Sequence, residues 1–211
     1  MPMSSMRARG LASTAGFVAV FLLAGIWPAS PAVAQAPGTM QHIRELVNRR
    51  IESIDPAYGP PGTRVTVVTR GMPSRTPIRL GAGSIGTGFE AFQELLTTDE
   101  GELEAELSVP AWARWDEPLL FIVFDIYFRP IALSDAFHAT RDGLIRRQGV
   151  VQAASPGCFR LDAPSGISHA LTGELVVGIQ AGDEIIVEGV PRAGACGLQN
   201  AIQVVRIIPG N

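Results

Sequence analysis

Two thiols, Cys158 and Cys196, are the side chains of this 211-residue chain with the clearest chemistry. An even count and a separation of 38 residues, far from the Cys-x-x-Cys spacing of redox pairs, read as a structural disulfide in an exported protein. Closing a loop of that length would stabilise the fold by roughly 3 to 4 kcal/mol in the chain-entropy picture.

Other constellations are weaker. Gly81-Ala82-Gly83-Ser84-Ile85-Gly86 matches the dinucleotide-binding glycine pattern, with Glu102 or Glu104 almost 20 residues on. That chemistry needs repeated βα units and a parallel sheet, whereas the flanks are rich in Pro and turn residues, so a flexible hairpin loop is the expectation. Gly166-Ile167-Ser168-His169-Ala170 falls one residue short of a nucleophile elbow and lacks the strand-to-helix turn that would expose the hydroxyl. His138 and His169 are expected in different domains, with no carboxylate or thiol at ligand spacing, so no metal site is expected. Asp99, Glu100, Glu102, Glu104 and Glu106 are spaced by two through most of their run, which fans them along one solvated strand face instead of converging them on a cation. No catalytic residue and no cofactor are expected, and the chain is read as non-enzymatic.

Contact surfaces are a different matter. Trp112 and Trp115, in Ala-Trp-Ala-Arg-Trp-Asp-Glu-Pro, are the only tryptophans beyond the N-terminal leader. In a loop they could stack on a sugar ring or anchor a protein partner, and the alternative is packing over the end of a sandwich. Phe159 is the only Phe, Tyr or Trp from Arg141 onward and is the second candidate contact. Over that stretch six arginines face six acids, so nucleic acid is not an expected partner.

The elements that position these residues follow from local pattern. Leu144–Val151 carries Gly149 in its interior, where a barrel wall would bend; Cys158–Asp162, His169–Leu171, Glu184–Val190 and Ile202–Ile208 are four further strands, with turns at 163–166 and at Gly182-Asp183. Five strands in so short a span fit a small barrel of the oligonucleotide/oligosaccharide-binding (OB) type. The run Gly-Val-Val, Gly-Cys-Phe-Arg-Leu, Leu-Thr-Gly, Ala-Gly-Asp-Glu-Ile-Ile-Val-Glu-Gly and Ile-Gln-Val-Val-Arg-Ile resembles small secreted bacterial OB-like domains, through Gly149, Cys158, Leu171, Gly182, Asp183, Val187, Gly189, Cys196 and Val204. That resemblance implies no active site.

At the N-terminus, Arg7 and Arg9, the apolar run Ala15–Trp27 and Ala32-Val33-Ala34 have the pattern of a cleaved secretory signal peptide, and the run is too short for a retained membrane span. Cleavage before Gln35 leaves a net charge of −5, carried against arginine alone, since the chain has no lysine. Met40, Ile43, Val47 and Ile51 recur at helical spacing behind Thr39, predicting a short helix over 39–51.

From Ile54 the texture is β. Val65 and Val67 alternate with Thr66 and Val68, Thr76–Leu80 resumes after a turn, Leu103, Ala105, Leu107 and Val109 alternate with acids and Ser108, and Leu119–Ile126 is a core strand. Ile-Asp-Pro-Ala-Tyr-Gly-Pro-Pro-Gly-Thr-Arg-Val-Thr-Val, Glu-Leu-Ser-Val-Pro and Asp-Ala-Phe-His-Ala-Thr resemble the immunoglobulin-like domains of transcription factors, plexins and bacterial surface proteins. Gly86–Leu96 departs from that pattern, its Phe89, Phe92, Leu95 and Leu96 also suiting a helical turn.

The expectation is therefore an all-β protein: signal peptide 1–34, linker with a short helix 35–52, immunoglobulin-like β-sandwich 53–140 and five-stranded OB-like barrel 141–211. It would act in the periplasm or outside the cell as a binding or scaffold module of the bacterial envelope, or alternatively bind an oligosaccharide or small ligand. The partner would be an envelope protein or glycan, and the oligomeric state is open.

Overall fold

The computed structural model describes residues 49–84 and 88–210. The leader and residues 39–48 of the expected helix lie outside them. Ile51 does not end a helix: it is a buried residue of strand β1 (Arg50–Asp55), which pairs antiparallel with β3. β-Branched Ile51 and Ile54 and the tertiary partner β3 override the helical spacing here.

Eight strands make the first half. β2 (Tyr58–Gly59), β3 (Arg64–Arg70), β4 (Pro77–Ser84), β5 (Gly88–Leu96), β6 (Leu103–Ser108), β7 (Pro118–Phe124) and β8 (Pro130–Ala139) join β1 in two sheets, ordered β1-β3-β6 and β2-β8-β7-β4-β5. Alternation explains the first sheet. Val65, Val67, Leu103 and Leu107 point into the core while Glu104, Glu106 and Ser108 face water, as expected for a half-solvated antiparallel strand. From the other sheet Ile78, Leu80, Leu119, Phe121, Val123 and Phe137 close over them, with Phe121 edge-on to Phe137 at 5.9 Å, so two sheets enclose one apolar layer as in a sandwich.

Gly88–Leu96 is strand throughout, which settles the choice between helix and strand. Gly81 and Gly83 are not loop residues either: they lie inside β4, where a Cβ on Gly81 would stand 2.1 Å from the Glu90 carbonyl oxygen of β5. Two glycines of the pattern thus serve the close approach of two strands at a register shift, while Gly86 lies outside the described residues.

The second half is a closed barrel of β9 (Ile145–Ser155), β10 (Cys158–Asp162), β11 (Ser168–Thr172), β12 (Glu184–Ala195) and β13 (Leu198–Pro209), ordered β10-β11-β13-β12-β9, with a 3-10 turn at Glu174–Gly178. In chain order this is 1-2-3-5-4-1 with the third and fifth strands parallel, the OB-like connectivity. Gly149 sits where β9 changes partner from β12 to β10, and a Cβ there would meet the Asp162 carbonyl oxygen at 2.3 Å. Ile145, Val151, Leu161, Leu171, Val187 and Ile202 fill the interior. Among the described residues no helix is long and apolar enough to cross a membrane.

Candidate functional site

Cys158 and Cys196 form the disulfide. Cys158 opens β10 directly after the β9–β10 turn, and Cys196 lies in the β12–β13 turn, so the bond ties together the two loops that OB barrels commonly use for ligands. Phe159, next to Cys158, is half-buried and packs against the barrel core.

Trp112 and Trp115 lie in the turn between β6 and β7, in unlike settings. Trp112 is 43% exposed, and its indole Nε1 donates to Glu90 Oε2 of β5 at 2.9 Å. With Phe89, which stacks on Phe124 at 4.5 Å, it borders a cleft of about 400 Å³ also lined by Ser84, Glu90, Arg114 and Glu117. Arg114 is held against Asp116 at 2.6 Å; this hydrogen bond keeps the Asp116 carboxyl below the usual carboxylate range despite some burial. Trp115 is half-buried, with the Arg141 guanidinium 5.8 Å from its ring centroid, and its carbonyl accepts from the Arg146 amide at 3.0 Å. One tryptophan therefore faces solvent, while the other holds the loop against the barrel.

The two histidines are not apart. His138 follows the core residue Phe137 on β8, so alternation turns it away from the sandwich core and toward the barrel, where its ring lies 5.2 Å from that of His169 on β11. Both are buried. They stand on different halves of the chain, β8 and β11, and the packing of the sheet's outer face on the barrel brings them together.

Arg147 of β9 completes this cluster and was not singled out by any sequence signal. It is 2% exposed, donates through Nη1 to the carbonyls of Trp115 (2.8 Å) and Arg146 (2.7 Å), and reaches His138 Nδ1 through Nη2 at 3.0 Å. A guanidinium can only donate, so His138 Nδ1 accepts, the proton sits on Nε2, and that atom donates to Asn200 Oδ1 of β13 at 3.1 Å. Burial, reinforced by the Arg147 charge, lowers His138 to about 4. Burial, then His138 and Arg147, lowers His169 to about 3, with the Ile167 backbone acting weakly the other way. Arg147 falls to about 10 through burial, opposed by Asp116 and Glu117. The cluster is thus neutral imidazole around one buried cation. Such a charge repels a metal ion, and among the described residues no group of three or more His, Cys, Asp or Glu could hold one.

Ser168 lies in a barrel strand and not on the strand-to-helix turn of a nucleophile elbow, with its hydroxyl donating to Asp162 Oδ1 at 2.6 Å. Elsewhere a feature missed in the sequence stands out. The β7–β8 hairpin tip exposes Ile126, Tyr127 and Phe128 in succession, Tyr127 at 72%, with Arg79 over the Phe128 ring at 4.1 Å. Its signal is Ile126-Tyr127-Phe128, whose first residue falls in the expected strand Leu119–Ile126; that strand ends at Phe124, and the triplet follows Asp125.

No protein-family model matches the chain, and no curated protein matches it in sequence. Among solved structures, macromomycin is similar over 42% of this chain and 96% of its own, at 15% identity and a TM-score of 0.35. An auxiliary nutrient binding protein from Bacteroides thetaiotaomicron is similar over 58% of this chain and 35% of its own, at 13% identity and a TM-score of 0.29. This chain thus spans about a third of the second protein's length, and neither likeness assigns it a ligand or an activity.

Proposed function

We propose that this protein is a non-enzymatic binding module of the bacterial envelope, exported behind the N-terminal leader into the periplasm or beyond. Residues 53–140 are then an immunoglobulin-like domain of the transcription-factor and plexin type, and residues 141–211 an OB-like domain. The observation that supports this is Trp112. A tryptophan left 43% exposed, fixed by a hydrogen bond to a neighbouring strand and set beside Phe89 over a cleft, is held in one pose with part of its ring free, which suits an anchor for another molecule. Trp115 positions that anchor, and Phe159 on the barrel is the secondary contact. The partner is an envelope protein. A glycan is the second reading, favoured by a cleft that sets two aromatic rings beside Glu90, Arg114 and Glu117, a mixture suited to hydroxyl-rich rings.

Trp112→Ala tests both. In the first case it abolishes co-purification of a defined envelope protein at temperatures where the variant remains folded, the melting temperature falling by a few degrees for the packed part of the ring and its hydrogen bond to Glu90. In the second, cell-wall oligosaccharides raise the melting temperature of the wild type and not of the variant. A variant indistinguishable from wild type in both assays contradicts the proposal.

A further inference from the structure

Sandwich and barrel each have their own apolar core, with no residue in common. The chain passes between them through one tight turn, closed by backbone bonds of 2.9 and 3.0 Å between Arg141 and Leu144. Two clefts flank the contact, of about 660 and 490 Å³, and each is lined from both halves, by Pro118 and Gln148 in one and by Ala136 and Ser168 in the other. Between the clefts the contact is polar. His138 Nδ1 accepts from Arg147 Nη2, Arg147 Nη1 donates to the Trp115 carbonyl, and that carbonyl also accepts from the Arg146 amide. Halves of a chain that meet in this way move relative to one another unless a large apolar interface holds them.

We infer that His138, Arg147 and the Trp115 carbonyl form an acid-released catch: protonation of His138 frees the sandwich from the barrel and leaves the Trp112 loop without its inner brace. This rests on the binding role proposed above and names how that site is regulated.

The chemistry lies in the donors. The Nε2 proton of His138 is committed to Asn200 Oδ1, so a second proton has only Nδ1 to go to, and Nδ1 already accepts from a guanidinium. An imidazolium there sets two donors and two positive charges 3.0 Å apart, and the bond is lost. His169, its ring 5.2 Å away, adds a third charge when protonated. The nearby acids are engaged elsewhere. Asp116 and Glu117 act on Arg147, with Asp116 bound to Arg114, and Glu188 serves Arg146 and Arg206. Tyr58, in register with His138 on β2, brings a phenol and no carboxylate. The closed contact therefore excludes protons that the open one accepts below the ordinary imidazole value of about 6.5. Burial, then the Arg147 charge, keeps His138 below that value in the closed form; burial, then His138 and Arg147, does the same for His169. Each histidine thus favours opening by about tenfold per pH unit once the pH is below that value.

The test is amide hydrogen exchange on the full mature chain, followed as protection factors from pH 7.5 to 5. The Arg146 amide reports the contact, the Glu117 amide reports the turn that carries Trp115, and Val67 of β3 and Val187 of β12 report the two cores. Arg146 should be less protected than Val67 and Val187 at every pH. Between pH 6 and 5 its protection should fall by roughly fiftyfold, and by roughly sevenfold in His169→Leu, which keeps one of the two groups. Glu117 should follow Arg146. His138→Asn keeps an acceptor for Arg147 that takes up no proton, and combined with His169→Leu it should hold Arg146 within about twofold over that range. Where the double variant does not fold, the smaller fall in His169→Leu alone decides. Arg146 as well protected as the two core strands, a fall of the same size in the variants, or a Glu117 amide that stays protected while Arg146 opens overturns the inference. Each of these leaves Trp112 exposed on the closed protein and the binding role standing. Capture of a partner undiminished by Trp112→Ala sinks the binding role instead and leaves the exchange result as it is.

Discussion

At the scale of single residues, the buried polar cluster between sandwich and barrel makes stability fall in mild acid. His138 and His169 titrate near 6.5 in an unfolded chain and near 4 and 3 in the folded one, so below about pH 6.5 the unfolded state binds more protons. Their neutral burial is fully accommodated above pH 6.5, and stability is lost as pH falls from there toward 4 and 3. Each proton taken up differentially changes the unfolding free energy by about 1.4 kcal/mol per pH unit. His169→Leu removes one of the two groups. Chemical denaturation of wild type and variant should therefore run parallel above pH 7 and diverge below about pH 6, the variant losing less; parallel curves down to pH 4.5 would show that His169 does not titrate in this way. Little of the cluster was legible in the sequence. Arg147 sits in Arg-Arg, as ordinary as any surface pair, and only the turning of His138 out of a strand whose Phe137 faces the core reveals what the Arg meets.

At the scale of elements, pattern was informative wherever a strand had one wet and one dry face. β6 and β3 announce themselves by alternation, and β9 through β13 by turn residues between apolar runs. β5 did not, because almost none of it is buried and Phe89, Phe92, Leu95 and Leu96 fit a helix turn equally well; only pairing with β4 selects the extended form. β1 misled in the opposite direction, its Ile51 completing a helical stripe that begins outside the described residues. The disulfide was legible from count and spacing, and it belongs to the elements because it joins the start of β10 to the β12–β13 turn. Cys158→Ser with Cys196→Ser should lower stability by up to about 4 kcal/mol. Hydrogen exchange should show where: amides of β10 and β12 lose protection before those of β3 and β7. Equal loss in all four strands would mean that sandwich and barrel unfold together and that the bond has no local effect.

At the scale of the whole molecule, sandwich and barrel meet through Arg147, His138, Asn200 and the carbonyl of Trp115, so the loop that presents Trp112 is braced on its inner side by the barrel. A scaffold that fixes one loop from two directions while leaving its outer ring in solvent lowers the ordering entropy of a later contact. The Trp112 cleft takes Phe89 and Glu90 from β5 and so lies on that end of the sandwich. On the binding role proposed above, this face, and not the barrel wall, meets the partner. A photo-crosslinking amino acid placed at exposed Ala111, beside an intact Trp112, with the same probe at exposed Val205 on β13 as comparison, distinguishes the two faces in intact cells. A discrete adduct from position 111 and none from position 205 is the expected result; adducts from position 205 with none from position 111 would contradict it.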